Sequence, residues 1–176
     1  MTFDRVAFLR GVNVGGHRQV TMSALRDLFS ACGVSDAQTF LQSGNVVFKG
    51  GRGADSAIER RLELETVRQL KIETSYFVRS AAELAEIVKR NPFKPEARDD
   101  PGRLLVYFLK ESPNAKAAVS AGAAIVGPER MQVSGREAYV YYPDGVGRSK
   151  FKLAWLGTGR NWNTVRRLLA LMTDAG

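Results

Sequence analysis

Three segments of this 176-residue chain combine glycine, arginine and amide side chains at spacings that suit an oxyanion. The first is Arg10-Gly-Val-Asn-Val-Gly-Gly16. Its glycines permit positive φ and expose backbone N–H groups, and the helix expected just after it adds positive potential. Arg10, Gly11, Asn13, Gly15 and Gly16 are the candidate contacts there. The spacing is neither the dinucleotide fingerprint nor the P-loop, so a tight connection without a ligand stands beside the anion-binding reading. The second segment is Gly145-Val-Gly-Arg-Ser-Lys150, where Arg148 offers a fork of donors, Ser149 a hydroxyl and Lys150 a mobile point charge. Its alternative is a solvated basic loop. The third is Thr158-Gly-Arg-Asn-Trp-Asn-Thr164, read as the start of a helix. Arg160, Asn161 and Asn163 would meet an anion beside free N–H groups, and Trp162 would either stack on a ring or anchor the helix start.

Other reactive side chains are isolated. His17 has no nucleophile tied to it, and Cys32 lies on an apolar helix face, as a core thiol does. Tyr139 and Tyr141 alternate on one strand face, as base-stacking aromatics do, but aromatics are also simply good strand formers. One histidine and one cysteine cannot supply the three or four ligands of a His/Cys zinc site, and no carboxylate cluster suggests magnesium or calcium. No catalytic residue, metal site or cofactor is therefore assigned.

The charge supports the anion reading. The chain carries +8 overall, but unevenly. Residues 1–88 hold 11 basic and 10 acidic side chains, whereas residues 89–176 hold 15 and 8, a net +7. A field of that sign attracts nucleic acid, nucleotides, acidic proteins or anionic lipid headgroups, and is otherwise a solubilising surface. A single cysteine makes no internal disulfide, no run approaches the ~18 apolar residues of a membrane span, and Val6–Leu9 is too short for a signal peptide. A cytoplasmic protein without a membrane partner is expected.

The elements that would position these segments repeat. Val6–Leu9 reads as a strand, and Thr21 caps a helix with Met22, Leu25, Leu28, Phe29 and Cys32 inward, ended by Gly33. Gln38–Gln42 and Asn45–Lys49 form a hairpin at Ser43-Gly44. Ser56 with Glu59 has capping-box spacing for a helix to about Leu70, Glu73–Arg79 is a strand, and Ser80 with Glu83 is a second capping box. Asn91–Arg103, with three prolines, reads as a linker. Beyond it come a strand at Leu104–Leu109, a helix starting at Ser112-Pro113, and strands Met131–Ser134 and Glu137–Tyr142 joined at Gly135-Arg136. Pro143-Asp-Gly145 is a turn, and a helix over Asn161–Thr173 closes the chain. Both halves thus read strand, helix, hairpin. The expectation is an α+β fold made by duplicating a ferredoxin-like unit with antiparallel sheets. One subdomain would span residues 1–90, the linker 91–102 and the second subdomain 103–176.

Five motifs in order carry a resemblance: Leu9–Gly16, Gln42–Phe48, Asn91–Phe93, Tyr142–Lys150 and Arg160–Val165. Together they resemble the bacterial domain-of-unknown-function family 1697 over nearly the whole chain. The resemblance implies two ferredoxin-like subdomains and no activity. The stretch from Lys150 to Thr158 is shorter than that family's helical insertion, so Phe151–Gly157 is expected as a bare loop carrying Trp155.

The three segments together predict one site for an anionic, phosphate-bearing ligand. Nucleic acid is the first choice of partner, a nucleotide- or phosphometabolite-binding enzyme or sensor the alternative, and a structural domain meeting an acidic protein the third. Whether the chain catalyses anything, and its oligomeric state, are not written in these residues.

Overall fold

The computed structural model describes residues 3–11, 20–40 and 44–173. The chain divides into two compact units, Met1–Ala85 with Leu168–Gly176, and Glu86–Arg167. It is an α+β fold with two four-stranded antiparallel sheets, a duplicated ferredoxin-like arrangement.

The first unit runs β1 (Arg5–Arg10), α1 (Met22–Ala31), β2 (Val34–Phe40), β3 (Asn45–Gly50), α2 (Asp55–Leu70) and β4 (Ser75–Ser80). Its sheet order is β2-β3-β1-β4. Thr21 caps α1 as expected, its Oγ1 accepting from the Ala24 N–H at 3.1 Å. Leu25, Leu28 and Phe29 of α1 pack with Ala7, Leu9, Val46 and Phe48 of the sheet and with Ile58 and Leu62 of α2. Cys32 lies half-buried against this cluster, and burial pushes its thiol pKa up. A half-buried, un-ionised thiol packed on this cluster acts as a small hydrophobe at the margin of the core.

Helix α2 departs from the expected cap. It starts at Asp55 after Ala54, which makes no side-chain cap bond. Glu59 is instead buried, and its carboxylate accepts from the Val78 N–H at 2.7 Å. Glu63 accepts from the Tyr76 N–H at 3.0 Å. The geometry explains the pairing. Four helical residues rise about 6 Å, close to the ~6.7 Å between alternate residues of a strand, so two glutamates one turn apart meet two outward N–H groups of the sheet-edge strand β4. That satisfies an edge which would otherwise invite pairing with another chain. Ser80 and Glu83 do form a reciprocal capping box, with N–H contacts of 2.8 and 3.1 Å, at the head of α3 (Ala81–Arg90).

The second unit holds β5 (Leu104–Leu109), α5 (Ala115–Ala123), β6 (Arg130–Ser134), β7 (Glu137–Tyr141) and β8 (Gly157–Asn161), in the order β6-β7-β5-β8. The segment expected as a linker is folded: α4 (Lys94–Asp99) and a 3-10 turn, Pro101–Arg103, occupy it. Two of its three prolines, Pro95 and Pro101, sit in first helical turns, where a missing N–H costs nothing. Phe93 is buried and lies, like Tyr141, under the Arg130 guanidinium, at 5.3 and 5.2 Å from the ring centroids. Helix α5 starts later than expected, with Asn114 as cap accepting from the Ala117 N–H at 2.8 Å. The closing helix α6 is Trp162–Thr173, and its C-terminal part belongs to the first unit, where the Met172 carbonyl accepts from the Phe3 N–H.

Strand β8 is absent from the sequence reading, which placed Thr158–Asn161 at the mouth of a helix. Glycine is a poor strand former, so the pattern hides it. Tertiary crowding selects glycine here. A Cβ at Gly159 would come within 2.8 Å of Tyr107 Cε1, and one at Gly157 within 2.8 Å of Leu109 Cδ2 and 3.0 Å of the Phe108 carbonyl oxygen. Among the described residues, no helix is long and apolar enough to cross a membrane.

Candidate functional site

The second unit lacks one helix of the first. Between β3 and β4 the chain builds α2; between β7 and β8, residues 142–156 hold only a 3-10 turn, Val146–Arg148. The connection is nonetheless anchored. The Gly145 N–H bonds to the Tyr142 carbonyl at 2.9 Å, and Gly145 has φ +84°, which closes the turn at Pro143-Asp144. The Tyr142 hydroxyl meets that of Tyr107 at 2.7 Å, and its ring meets Phe151 edge-on at 6.2 Å. Burial pushes both phenol pKa values up, so the pair is neutral at physiological pH.

Helix α5 forms the other wall. Five of its nine residues are alanine, and none is buried. Short side chains opposite a connection without a helix leave space. A cavity of about 550 Å³ lies there, within the range of small-molecule sites. Ala121, Ala124, Ile125 and Val126 give it an apolar wall; Arg148, Lys150 and Lys152 bring three cations and Phe151 a ring. Glu129 and Asp144 also line it. Glu129 is engaged by the Ser149 hydroxyl, which also accepts from the Phe151 N–H at 3.0 Å. Ser149 therefore shapes the loop. Arg148, Lys150 and Lys152 are exposed.

The expected site residues divide as follows. Arg148, Ser149 and Lys150 come together at this cavity. Arg160 does not join them. It lies in β8 opposite Val106, is 9% exposed, and donates to Thr158 Oγ1 and to the Gly159 carbonyl, both at 2.8 Å. Burial lowers its pKa to about 10, still far above physiological pH. The reason is the missed strand: in a sheet, a residue opposite an inward valine points inward too. Asn161 is the cap of α6, its Oδ1 accepting from the Thr164 N–H at 2.9 Å. Trp162 is buried, the anchor alternative, and Asn163 is exposed. In the first unit Arg10 is exposed at the end of β1, its carbonyl taking the Thr74 hydroxyl at 2.7 Å, and Gly11 has φ +71°. Asn13, Gly15, Gly16 and His17 lie outside the described residues. Tyr139 and Tyr141 are no stacking platform: Tyr139 is buried and donates to the Ile87 carbonyl, and Tyr141 donates to Asp100.

Sequence reasoning passed over Lys152 and the alanine wall. Lys152 was legible as the third cation of Arg-Ser-Lys-Phe-Lys152. The wall was not, because alanines read as a good helix and give no hint that nothing covers them.

A family model described as a protein of unknown function (DUF1697) matches residues 2–139, ending before the connection that carries the three cations. No curated protein matches the chain. Among solved structures, a conserved bacterial protein from Streptococcus pneumoniae is similar, with a TM-score of 0.77 and 16% identity over 97% of this chain and 99% of that one. At that identity the likeness establishes the fold alone. The matched stretch covers most of the chain and includes the glycine loop, the first hairpin and Asn91–Phe93, so the chain belongs to the DUF1697 family of proteins of unknown function.

Proposed function

We propose that this protein binds an anionic, phosphate-bearing small molecule in the cavity between α5 and residues 142–156, as a sensor or as the binding half of an enzyme. One observation carries the reading: a concave site of about 550 Å³ sets Arg148, Lys150 and Lys152 beside an apolar wall. A ligand with a charged head and an organic body satisfies both. The cations neutralise the head, while Ala121, Ala124 and Ile125 take apolar surface out of water. A cytoplasmic location suits such a ligand and the lone cysteine.

A thermal-shift panel of nucleotides and phosphorylated sugars, each beside its dephosphorylated form, tests this. A ligand at 100 times its Kd adds about 2.7 kcal/mol of stability. The double substitution Arg148→Ala and Lys150→Ala abolishes the shift. A panel with no shift, or a shift that survives the double substitution, refutes the proposal.

Nucleic acid is the second reading, favoured by the exposed Arg148, Lys150, Lys152 and Arg166 of the basic half. Four to six phosphate contacts give a log–log salt slope of about −3 to −5. A flat response to salt removes it.

A further inference from the structure

A second cavity of about 520 Å³ adjoins the first, the two sharing Ala154 as a lining residue. It is bounded by Ser112, Asn114 and Ala117 on the α5 side and by Trp155 and Leu156 on the other. Ala117 faces this cavity, and Ala121 and Ala124 face its neighbour. Those positions lie on one side of α5, four and seven residues apart, or roughly 6–10 Å along the helix axis. The cavities therefore form two lobes along one helix wall. Arg148, Lys150 and Lys152 border one lobe; a tryptophan, with the opposite charges of Lys110 and Glu111, borders the other.

Whereas the ring in the first lobe, Phe151, is packed edge-on against Tyr142, Trp155 is half-buried and lines the second lobe. Around it stand polar groups with capacity to spare. The Ser112 side chain is exposed, and Asn114 uses its Oδ1 as the helix cap while its amide N–H groups remain to donate. An aromatic surface flanked by short hydrogen-bonding side chains suits a flat heteroaromatic ring with polar edges better than an acyl chain. The offset of roughly 6–10 Å along the helix wall is of the order of a ribose and one or two phosphates.

We infer that the ligand is a nucleoside phosphate, with its base against Trp155 and its phosphate at Arg148, Lys150 and Lys152. This rests on the phosphate reading of the first cavity and adds the base lobe to it. Trp155 supplies stacking, which every base offers, so selectivity among bases falls to Ser112 and Asn114.

Calorimetric titration of adenosine monophosphate, guanosine monophosphate and ribose phosphate into the full chain, with tryptophan fluorescence followed in parallel, tests the assignment. At least one nucleotide is expected to bind roughly 5- to 150-fold more tightly than ribose phosphate, the usual worth of one stacked base. It should also change the indole emission. Trp155→Phe keeps a stacking ring, so affinity stays within a few-fold while the emission change disappears. Trp155→Ala brings nucleotide affinity down to that of ribose phosphate and leaves ribose phosphate unchanged. Equal binding of nucleotide and ribose phosphate overturns the base lobe and leaves the phosphate site standing. Binding of neither overturns both. Should Trp155→Ala fail to fold, the wild-type comparison of ligands and the Trp155→Phe emission still decide the matter.

Discussion

Gly159 lies flat against the ring of Tyr107, with room for no side chain: a Cβ would stand 2.8 Å from Cε1 and 3.2 Å from Cδ1 and Cζ. Tyr107 is also held at its far end by Tyr142, so the ring cannot swing aside without breaking that bond. Gly159→Ala is expected to lower stability by about 1–3 kcal/mol, the usual cost of overpacking. Adding Tyr107→Ala should recover part of the loss. Denaturant midpoints of the two single variants and the double variant measure the coupling, and strictly additive effects would refute the contact.

The edge of the first sheet is closed by glutamates. Glu59→Ala leaves the buried Val78 N–H without its partner, at a cost of about 1–3 kcal/mol. Glu63→Ala opens the neighbouring Tyr76 N–H. The double variant should self-associate more than either single one, since two consecutive outward N–H groups of β4 are then unmet. Light scattering at matched concentration of folded protein measures this.

Alkaline unfolding has a named source. Burial raises the Tyr76 phenol from 10.0 to about 12. The unfolded chain releases this proton near pH 10 and the folded chain does not. The stabilisation from the neutral phenol is therefore complete below pH 10 and is lost as pH rises towards 12. Two units correspond to about 2–3 kcal/mol. Tyr76→Phe keeps the ring but loses the contact to Thr66 Oγ1 at 2.9 Å, so it should be less stable at pH 7 yet decline less steeply above pH 10. Chemical denaturation across pH 9–12 compares the slopes.

Two arginines chosen for the same chemistry should part company. Arg160 is buried on backbone and threonine oxygens, so Arg160→Ala should cost roughly 2–3 kcal/mol of stability. Ligand affinity should be little changed. Arg148 is exposed at the cavity, so Arg148→Ala should change stability by less than about 0.5 kcal/mol and weaken phosphate binding. Unfolding and binding measured on the same two preparations separate the roles.

The sequence by itself determined what depends on neighbours a turn or a hairpin away. The Thr21 cap, the Ser80–Glu83 box and the alternation around Gly135 act within three or four residues, and all are in place. The duplicated order of strand, helix and hairpin, and with it the fold class, follows from those local signals. The cations at Arg148 and Lys150 were legible too, since charge and glycine announce themselves in any context. Only the tertiary structure decided the rest. Ser56–Glu59 has the letters of a cap, but Glu59 serves a strand nineteen residues on. Gly157–Asn161 becomes a strand because β5 lies beside it, and that pairing turns Arg160 inward and makes it structural. The cavity follows from a missing element, the helix that β7 and β8 do not have between them. Side chains reveal what they contribute locally; empty volume is set by what long-range packing fails to bring.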